Sequence, residues 1–288
     1  MLKKTIRSFL RKIWRRIKKI KAKRDLIKVL VDRPTVSYPD FLTASVNHIK
    51  SLQFVNDFSL VHSGGEWICN IGGLQFSLNS AEEILIIKEI FVDGIYNVET
   101  SQPFTFIDIG MNVGITSLFF AKKAECKQVV AFEPFQPTLA FAKINMKKNE
   151  VANKIYIHEV GLGYPPRTLT INYSEEFKGS VGIHGVASYI GEKKDIKEVS
   201  LPVMDVFEAL KDIMDEKIIV KIDCEGSEYE ILERLNDTGL LSRFSIIMIE
   251  WHNKGPASLQ KFLIDKNFEV LSMGAHNKNI GMMYGFKK

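Results

Sequence analysis

Acidic and histidine side chains stand at the ends of apolar segments, and their types suit a reaction that moves a proton. Apolar runs end at Asp108, Glu133, Asp223 and Glu250, and His252 follows soon after the last of these. Any one of these residues, taken by itself, could equally be a helix-capping or surface side chain and not part of an active site. If the runs are strands of one parallel sheet, however, their carboxyl ends meet at one edge, where such sheets bind ligands. The sequence therefore predicts an active site at that edge.

The glycine loop after Asp108 is spaced for the close approach of a ligand. Gly110 and Gly114 allow a sharp turn in front of a helix N-terminus. Their D-x-G-x-x-x-G pattern differs from the G-x-G-x-x-G of dinucleotide sites, and an acid at the strand end suits a cationic ligand better than a pyrophosphate. Glu133 follows Asp108 by 25 residues, where a carboxylate accepts both ribose hydroxyls of an adenosine. S-adenosyl-L-methionine, a sulfonium joined to adenosine, satisfies both requirements.

A second polar stretch begins with the apolar segment Ile218–Asp223. A strand there places Lys221 and Asp223 on one face because side chains alternate along a strand. The two are expected to pair, an arrangement that is costly to bury without a purpose. Glu250 and His252 likewise share a side if their strand persists. Further contacts to the cofactor are expected from residues near the same strand ends, namely Asn112, Thr116, Pro134, Glu159 and Asp223.

A sheet must gather these residues, and the pattern from Phe104 onward alternates strands with helices. The predicted strands are Phe104–Asp108, Gln128–Glu133, Lys154–Val160, Ile218–Asp223, Ser245–Glu250, Phe268–Met273 and Gly281–Phe286, and the predicted helices are Thr116–Ala124, Gln136–Asn149, Met204–Met214 and Glu228–Arg234. This alternation predicts an α/β fold with a mostly parallel, doubly wound sheet and a C-terminal antiparallel strand pair. Ahead of it, Glu66–Leu78 is typical of a β-hairpin and Glu82–Val92 of a helix.

The composition is that of a soluble globular chain, since 45% of the 288 residues are hydrophobic and 25% are charged. These values exclude collagen-like, disordered and multi-span membrane proteins. Cys69, Cys126 and Cys224 lack the spacing of a zinc site or a disulfide framework, which predicts a reducing compartment. The charge is unevenly spread, because residues 1–24 hold 12 Lys or Arg and no acid, and the rest of the chain holds 27 basic against 34 acidic residues.

Apolar residues recur every three or four positions within residues 1–24, which predicts a basic amphipathic helix. It lacks the run of ~18 apolar residues that a bilayer span needs. We expect it to lie on an anionic membrane surface at the cytoplasmic face. The alternative is a helix that packs on the domain or on a second subunit of an oligomer. The predicted organisation is this helix in residues 1–24, a helix and hairpin extension in 25–100, and the domain with the S-adenosylmethionine site in 101–288.

Several motifs together resemble those of the FkbM family of S-adenosylmethionine-dependent methyltransferases. They are Asp108–Gly114, Phe132–Pro134, Val199–Leu210, Val220–Glu228 and Ile249–His252. Met111 and Met204 are modest departures from the family's usual residues. The resemblance covers about Tyr96–Phe286 and implies a Rossmann-like class I methyltransferase fold. It also implies transfer to an oxygen, commonly a hydroxyl of a sugar or natural product, and we expect a sugar in a glycan or glycolipid.

Methyl transfer to a sugar hydroxyl requires orientation and a proton acceptor, because the hydroxyl is too weakly acidic to attack unaided. Asp223 is the first candidate for base or metal ligand. His252 is the second, with Glu250 orienting it or contacting the acceptor, and Lys221 belongs to the same set. Glu225 extends Asp223 to Asp-x-Glu, a pair that suits a divalent metal but does not define a site without a third ligand.

Two alternatives from other classes stay open. A nucleic-acid 2′-O-methyltransferase is one, since Asp223, Glu250 and Lys221 or Lys254 supply a Lys/Asp/Glu set, but the acidic body argues against nucleic acid as a partner. The other is a non-catalytic, membrane-tethered module that binds the cofactor, against which the intact polar strand ends argue. His184, in the long insert from Arg167 to Glu198, is a candidate for a lid over the acceptor, and the alternative is a loop histidine without such a role.

Overall fold

The structure is a computed structural model that describes residues 38–173, 197–274 and 279–288, together with the backbone of 181–182 and 185–186. The predicted amphipathic helix of residues 1–24 and the predicted lid residue His184 lie outside the described residues. The chain divides into two compact units, with the boundary between Ile95 and Tyr96. Every helix within the described ranges is too short or too polar to span a bilayer.

The described part of the first unit contains short helices and an antiparallel sheet. Its elements are α1 (Asp40–Ala44), α2 (Val46–Leu52), β1 (Ser59–Ser63), β2 (Glu66–Ile71), β3 (Leu74–Leu78) and α3 (Ala81–Lys88), which continues into a π-helical turn (Glu89–Asp93). The predicted hairpin is confirmed as β2 and β3, and β1 extends it on the other side of β2. Gly72 and Gly73 form its turn, and their N–H groups donate to Asp57 over 2.8 and 2.6 Å.

The second unit carries the strand and helix alternation that the sequence predicts. Its elements in chain order are β4 (Phe104–Ile109), α4 (Ile115–Ala121), β5 (Cys126–Phe132), α5 (Gln136–Lys147), a 3₁₀ turn (Glu150–Lys154), β6 (Ile155–His158), β7 (Gly161–Gly163), β8 (Arg167–Tyr173), β9 (Val181–Gly182), β10 (Gly185–Val186), β11 (Lys197–Asp205), α6 (Val206–Leu210), β12 (Ile218–Ile222), α7 (Glu228–Asp237), a 3₁₀ turn (Leu240–Arg243), β13 (Ile246–His252), α8 (Ala257–Asp265), β14 (Phe268–Gly274) and β15 (Ile280–Lys287).

Within the described residues, seven strands form the main sheet in the order β14-β15-β13-β12-β4-β5-β6. The strands from β13 to β6 run parallel, and β15 and β14 complete the sheet as an antiparallel pair. This order confirms the predicted Rossmann-like α/β fold. The central strand β12 is buried along its whole length. Its side chains Ile218, Val220 and Ile222 belong to a core that α7 and α8 complete with Ile231, Leu232, Leu235, Leu259 and Leu263. Burial of each such side chain contributes about 1.5–3 kcal/mol.

The prediction for the segment around Met204 is wrong. In place of a helix from Met204 to Met214, β11 continues to Asp205 and the helix α6 ends at Leu210. Leu201, Val203 and Asp205 are buried while Met204 is 43% exposed, which is the period of a strand. The helix begins after Asp205 because its Oδ1 accepts the N–H of Phe207 over 2.9 Å, an N-cap bond.

The predicted long insert is bounded by a small sheet that the sequence did not suggest. β11 pairs with β8 in antiparallel fashion and with β7 in parallel fashion. Arg234 of α7 holds this sheet, since its guanidinium binds both carboxylate oxygens of Asp205 at 2.6 and 3.1 Å. The sheet therefore has a fixed position beside the carboxyl end of the main sheet.

Candidate active site

The glycine loop between β4 and α4 is in contact with the loop that follows β12. Gly110 and Gly114 both have φ of +82°, and Asn112 has φ of +53°. A Cβ at Gly110 would lie 1.8 Å from the backbone oxygen of Asp223. Only glycine fits there, because the position combines a left-handed backbone with a contact to main-chain atoms. The contact brings the ends of β4 and β12 together.

Glu133 is a buried carboxylate at the end of β5. Its Oε2 accepts the N–H of Asn112 over 2.9 Å, and its Oε1 accepts the N–H of Phe135 over 3.1 Å. Burial raises the pKa of Glu133 to about 7, although both N–H groups and Lys221 act in the opposite direction. The backbone thus holds a carboxylate of raised pKa at the place where the sequence predicts a ribose contact.

A cleft of about 750 Å³, including its open mouth, lies at the carboxyl ends of β4, β5 and β12. Predicted site residues that line it are Gly110, Asn112, Glu133, Pro134, Asp223 and Glu225. An apolar wall faces them, formed by the small sheet through Leu162, Leu169, Ile171, Leu201 and Val203. The cleft therefore joins a polar side, where the strand ends meet, to an apolar side formed by the small sheet.

Other residues predicted to bind the cofactor lie away from the cleft wall. Gly114 packs against α5, where an added Cβ would lie 2.4 Å from Cε of Met146. Thr116 is buried within α4. Glu159 is exposed and bound to Lys143 and Gln136. In this arrangement Gly114 and Thr116 support the loop, and Glu159 is a surface side chain.

Asp108 and Lys221 form a buried ion pair between β4 and β12. Lys221 Nζ lies 3.1 Å from Asp108 Oδ1 and donates to the backbone oxygen of Gly110 over 2.7 Å. Ser117 donates to the other oxygen of Asp108 over 2.6 Å. Burial raises the pKa of Asp108, against the effect of Lys221. Burial by itself would lower the pKa of Lys221, but the carboxylates of Asp108 and Asp223 raise this pKa above its ordinary value. The pair thus fixes the glycine loop through the hydrogen bond from Lys221 to the backbone oxygen of Gly110.

Asp223 is the predicted catalytic carboxylate, and the structure places it in the cleft wall with 26% of its side chain exposed. Lys221 Nζ lies 3.6 Å from its Oδ2. The hydroxyl of Tyr96 donates to the same oxygen over 3.2 Å and lies 3.4 Å from Glu250 Oε2. The sequence analysis missed Tyr96, because it precedes every motif and nothing in its surroundings marks it.

His252 takes its orientation from Glu228, which is a second residue that the sequence analysis did not single out. His252 Nδ1 lies 2.9 Å from Glu228 Oε1 and its Nε2 lies 3.5 Å from Glu225 Oε2. Glu228 is fully buried and accepts the N–H groups of Cys224 and Gly226. Burial alone would lower the pKa of His252, but the carboxylates of Glu228 and Glu225 raise it to about 10. The predicted neighbour Glu250 contacts Tyr96 instead.

Most of the residues that form this site lie in a part of the chain that matches a known protein family. A family profile described as the methyltransferase FkbM domain matches residues 108–270, which is more than half of the chain. The chain belongs to the FkbM methyltransferase family. The matched range begins at Asp108 and includes the glycine loop, Glu133, Asp223 and His252. The family resemblance that the sequence motifs carry is confirmed.

The known proteins that this FkbM-family chain matches are distant in sequence. Methyltransferase 1 of Beauveria bassiana is 26% identical over 204 residues, which cover 64% of this chain and 80% of the relative. The 31-O-demethyl-FK506 methyltransferase FkbM of Streptomyces tacrolimicus is 27% identical over 193 residues, covering 58% and 74%. A crystal structure of methyltransferase FkbM from Methylobacillus flagellatus matches with a TM-score of 0.45 at 13% identity, covering 96% of this chain and 60% of that one.

Proposed function

We propose that this FkbM-family methyltransferase uses S-adenosylmethionine to methylate a hydroxyl of a sugar in a glycan or glycolipid. The observation that carries the proposal is the buried Glu133, held at the cleft by the N–H groups of Asn112 and Phe135. A carboxylate at the end of the second strand is suited to accept both ribose hydroxyls of an adenosine. The apolar side of the cleft, with Leu201 and Val203, fits an adenine ring.

The residues around the glycine loop fit the rest of such a cofactor. Asn112 lines the cleft, and its buried Oδ1 has no hydrogen-bond partner among the described residues. An unsatisfied buried acceptor is costly, so a ligand that brings an N–H donor stabilises this site. The amino group of a methionine moiety is such a donor. Gly110 also lines the cleft, so its backbone is within reach of a ligand bound there.

Asp223 is the residue that we assign to the acceptor. When bound, S-adenosylmethionine would supply a methyl group on a positively charged sulfur. The remainder of the cofactor would leave as a neutral thioether. Asp223 faces the cleft and takes the hydroxyl proton, while His252 is buried behind it with 4% exposure. Tyr96 and Lys221 hold Asp223 Oδ2 in place. The carboxylate is thus preorganised for general-base catalysis.

The choice of acceptor depends on two further observations. The Streptomyces tacrolimicus relative is named for 31-O-demethyl-FK506, whose missing methyl group is on an oxygen. Residues 1–24 of this chain hold 12 cations and no acid, a composition suited to an anionic lipid surface. An enzyme on the cytoplasmic face of a membrane and a sugar on a lipid carrier share one plane, which raises their effective concentration.

The test uses radiolabelled S-adenosylmethionine and the full-length protein. The acceptor is a lipid-linked glycan extract from source cells that lack the protein. After acid hydrolysis, label is expected on an O-methylated monosaccharide. Asp223→Asn is expected to lower the transfer rate by ~100-fold while the cofactor affinity stays within about twofold. Asp265→Asn, an exposed acid on α8, is the matched control and keeps the wild-type rate.

Each part of the proposal can fail separately. Calorimetry that detects no binding of S-adenosylmethionine contradicts the cofactor assignment. If total RNA from the same cells takes up label in a parallel reaction and the glycan extract does not, the acceptor is contradicted and the 2′-O-methyltransferase alternative is favoured. Full activity in Asp223→Asn removes this residue from the chemical step.

A further inference from the structure

Three side chains at the ends of β12 and β13 place possible metal-ligand atoms close together. Asp223, Glu225 and His252 each offer one ligand atom, and these atoms all lie within 4.8 Å of one another. The ligand atoms are two carboxylate oxygens and one imidazole nitrogen. Divalent metal ions in proteins are bound by this combination of atoms. Asp223 and Glu225 also line the cleft, so a metal ion between them would be in contact with a ligand there.

The surroundings of His252 are those of a metal-binding imidazole. Glu228 Oε1 lies 2.9 Å from His252 Nδ1, and a carboxylate there fixes the proton on that nitrogen. Nε2 is then directed to Glu225, 3.5 Å away. Histidine ligands of metals characteristically donate their second ring N–H to a carboxylate in this way. Glu228 is itself fixed by two backbone N–H groups, so the ring has one orientation.

The charge at this point is negative. Asp223, Glu225 and Glu228 contribute three carboxylates within a few residues of chain. Lys221 is bound to Asp108 at 3.1 Å and lies 3.6 Å from Asp223, so its single charge is shared between two carboxylates. The three neighbouring acids repel one another. A divalent cation would reduce this repulsion.

We propose that Asp223, Glu225 and His252 bind a divalent metal ion, with Glu228 as the carboxylate that orients the histidine. A site with one nitrogen and two oxygens suits Mn²⁺, which accepts both ligand types. Three protein ligands leave coordination positions open towards the cleft. A hydroxyl bound there has a lowered pKa, and this consequence rests on the proposed function, whereas the metal site itself does not. One oxygen of Asp223 is enough for the metal, so the other still accepts the hydroxyl proton.

The experiment measures Mn²⁺ binding to the full-length protein without cofactor or acceptor. Free Mn²⁺ gives a six-line electron paramagnetic resonance signal, and its loss on titration yields the affinity. Glu225→Gln is the test variant because its side chain is 23% exposed, so the change leaves the buried core intact. Glu233→Gln, an exposed glutamate on α7, is the matched control. We expect Glu225→Gln to weaken Mn²⁺ binding by at least tenfold and Glu233→Gln to leave it unchanged.

The outcomes separate this site from the proposed function. If wild-type protein leaves the Mn²⁺ signal unchanged at millimolar concentration, or if Glu225→Gln binds as wild type does, the metal site is refuted. Calorimetry with S-adenosylmethionine in the presence of EDTA is run alongside. Cofactor binding without Mn²⁺ binding refutes the metal site and leaves the proposed function standing. Mn²⁺ binding that Glu225→Gln weakens, without cofactor binding, supports the metal site and contradicts the proposed function.

Discussion

The phenol of Tyr96 donates to Oδ2 of Asp223 over 3.2 Å, although 127 residues separate the two in the chain. Tyr96 is 3% exposed, and its ring lies under Lys221, whose Nζ is 5.5 Å from the ring centroid. The same hydroxyl lies 3.4 Å from Glu250. Tyr96 therefore positions the carboxylate to which we assign the acceptor proton, and it does so from outside the range that the family profile matches, residues 108–270.

Tyr96→Phe removes this hydroxyl and keeps the ring. We expect kcat to fall by about tenfold, because the Asp223 carboxylate loses a charge-assisted hydrogen bond of about 1.5–3 kcal/mol and its fixed orientation. The cofactor affinity is expected to stay within about twofold. Tyr156→Phe, a change at a 55% exposed tyrosine of β6, is the control and should keep the wild-type kcat. A Tyr96→Phe variant with wild-type kcat would contradict the positioning role.

Cofactor binding is expected to depend on the ionisation of Glu133. Its pKa is raised to about 7 by burial, and only the carboxylate form accepts two ribose hydroxyls. Affinity for S-adenosylmethionine should therefore rise with pH through 7, and be about tenfold weaker at pH 6 than at its high-pH limit. Calorimetry at several pH values measures this. In Glu133→Gln the affinity should be lower and independent of pH across the same range, and a wild-type affinity that does not vary with pH would contradict the ribose assignment.

Because the pKa of Glu133 is raised, the stability of the protein without cofactor is expected to depend on pH. An acid whose pKa is higher in the folded state contributes stability that is fully present below its unfolded pKa of 4.5, and that stability is lost as the pH rises through about 7. Thermal unfolding of the free protein should show this decline between pH 5 and 8. Glu133→Gln should reduce the decline, because it has no proton to lose. An unchanged slope in the variant would mean that other groups dominate.

Gly110→Ala is expected to damage both fold and site. The added Cβ would meet the backbone oxygen of Asp223 at 1.8 Å, with φ at +82°. Gly239→Ala is the matched control, because Gly239 has a similar φ of +76° but nothing within 4 Å of its Cβ position. The control should lose only the cost of the backbone conformation, about 1–2 kcal/mol. Thermal unfolding should show a larger loss for Gly110→Ala, and calorimetry should show lost cofactor affinity for Gly110→Ala alone.

Lys221→Met tests the buried ion pair with Asp108. Removal of the lysine leaves Asp108, which is fully buried, without its opposite charge. The expected cost is about 3–5 kcal/mol of unfolding free energy. Denaturant unfolding of Lys221→Met and of Lys221→Met/Asp108→Asn measures it. The double variant should recover a large part of the loss, and a double variant no more stable than the single one would mean that Lys221 acts mainly through Gly110 and Asp223.

The helix predicted for residues 1–24 can be tested by truncation. Full-length protein should sediment with vesicles that contain anionic lipid and be released at high salt, because each cation near the surface contributes about 1 kcal/mol. The form that lacks residues 1–24 should stay in solution and keep its cofactor affinity. Binding to neutral vesicles serves as the control. If truncation unfolds the protein, the apolar stripe is a packing surface and the membrane prediction is wrong.

Local pattern was enough to locate the polar strand ends. Asp108, Glu133 and Asp223 each stand at the end of a short apolar run, and such runs are typical of the buried strands of a parallel sheet. Their common edge follows from the fold class, because parallel strands all end on one side. The glycine loop was equally visible, since the left-handed φ of Gly110 is a property of the turn itself.

The partners within the site were decided by tertiary structure. Glu228 and His252 are 24 residues apart, and they meet because β12 and β13 are neighbours in the sheet and α7 starts at the end of β12. The sequence analysis predicted that Glu250 orients His252, because the two are only two residues apart in the chain. Strand order is fixed by the packing of apolar faces over the whole sheet, and no single segment contains that information. The pairing of β11 with β8 was missed for the same reason, because a strand's hydrogen-bond partners are supplied by another part of the chain.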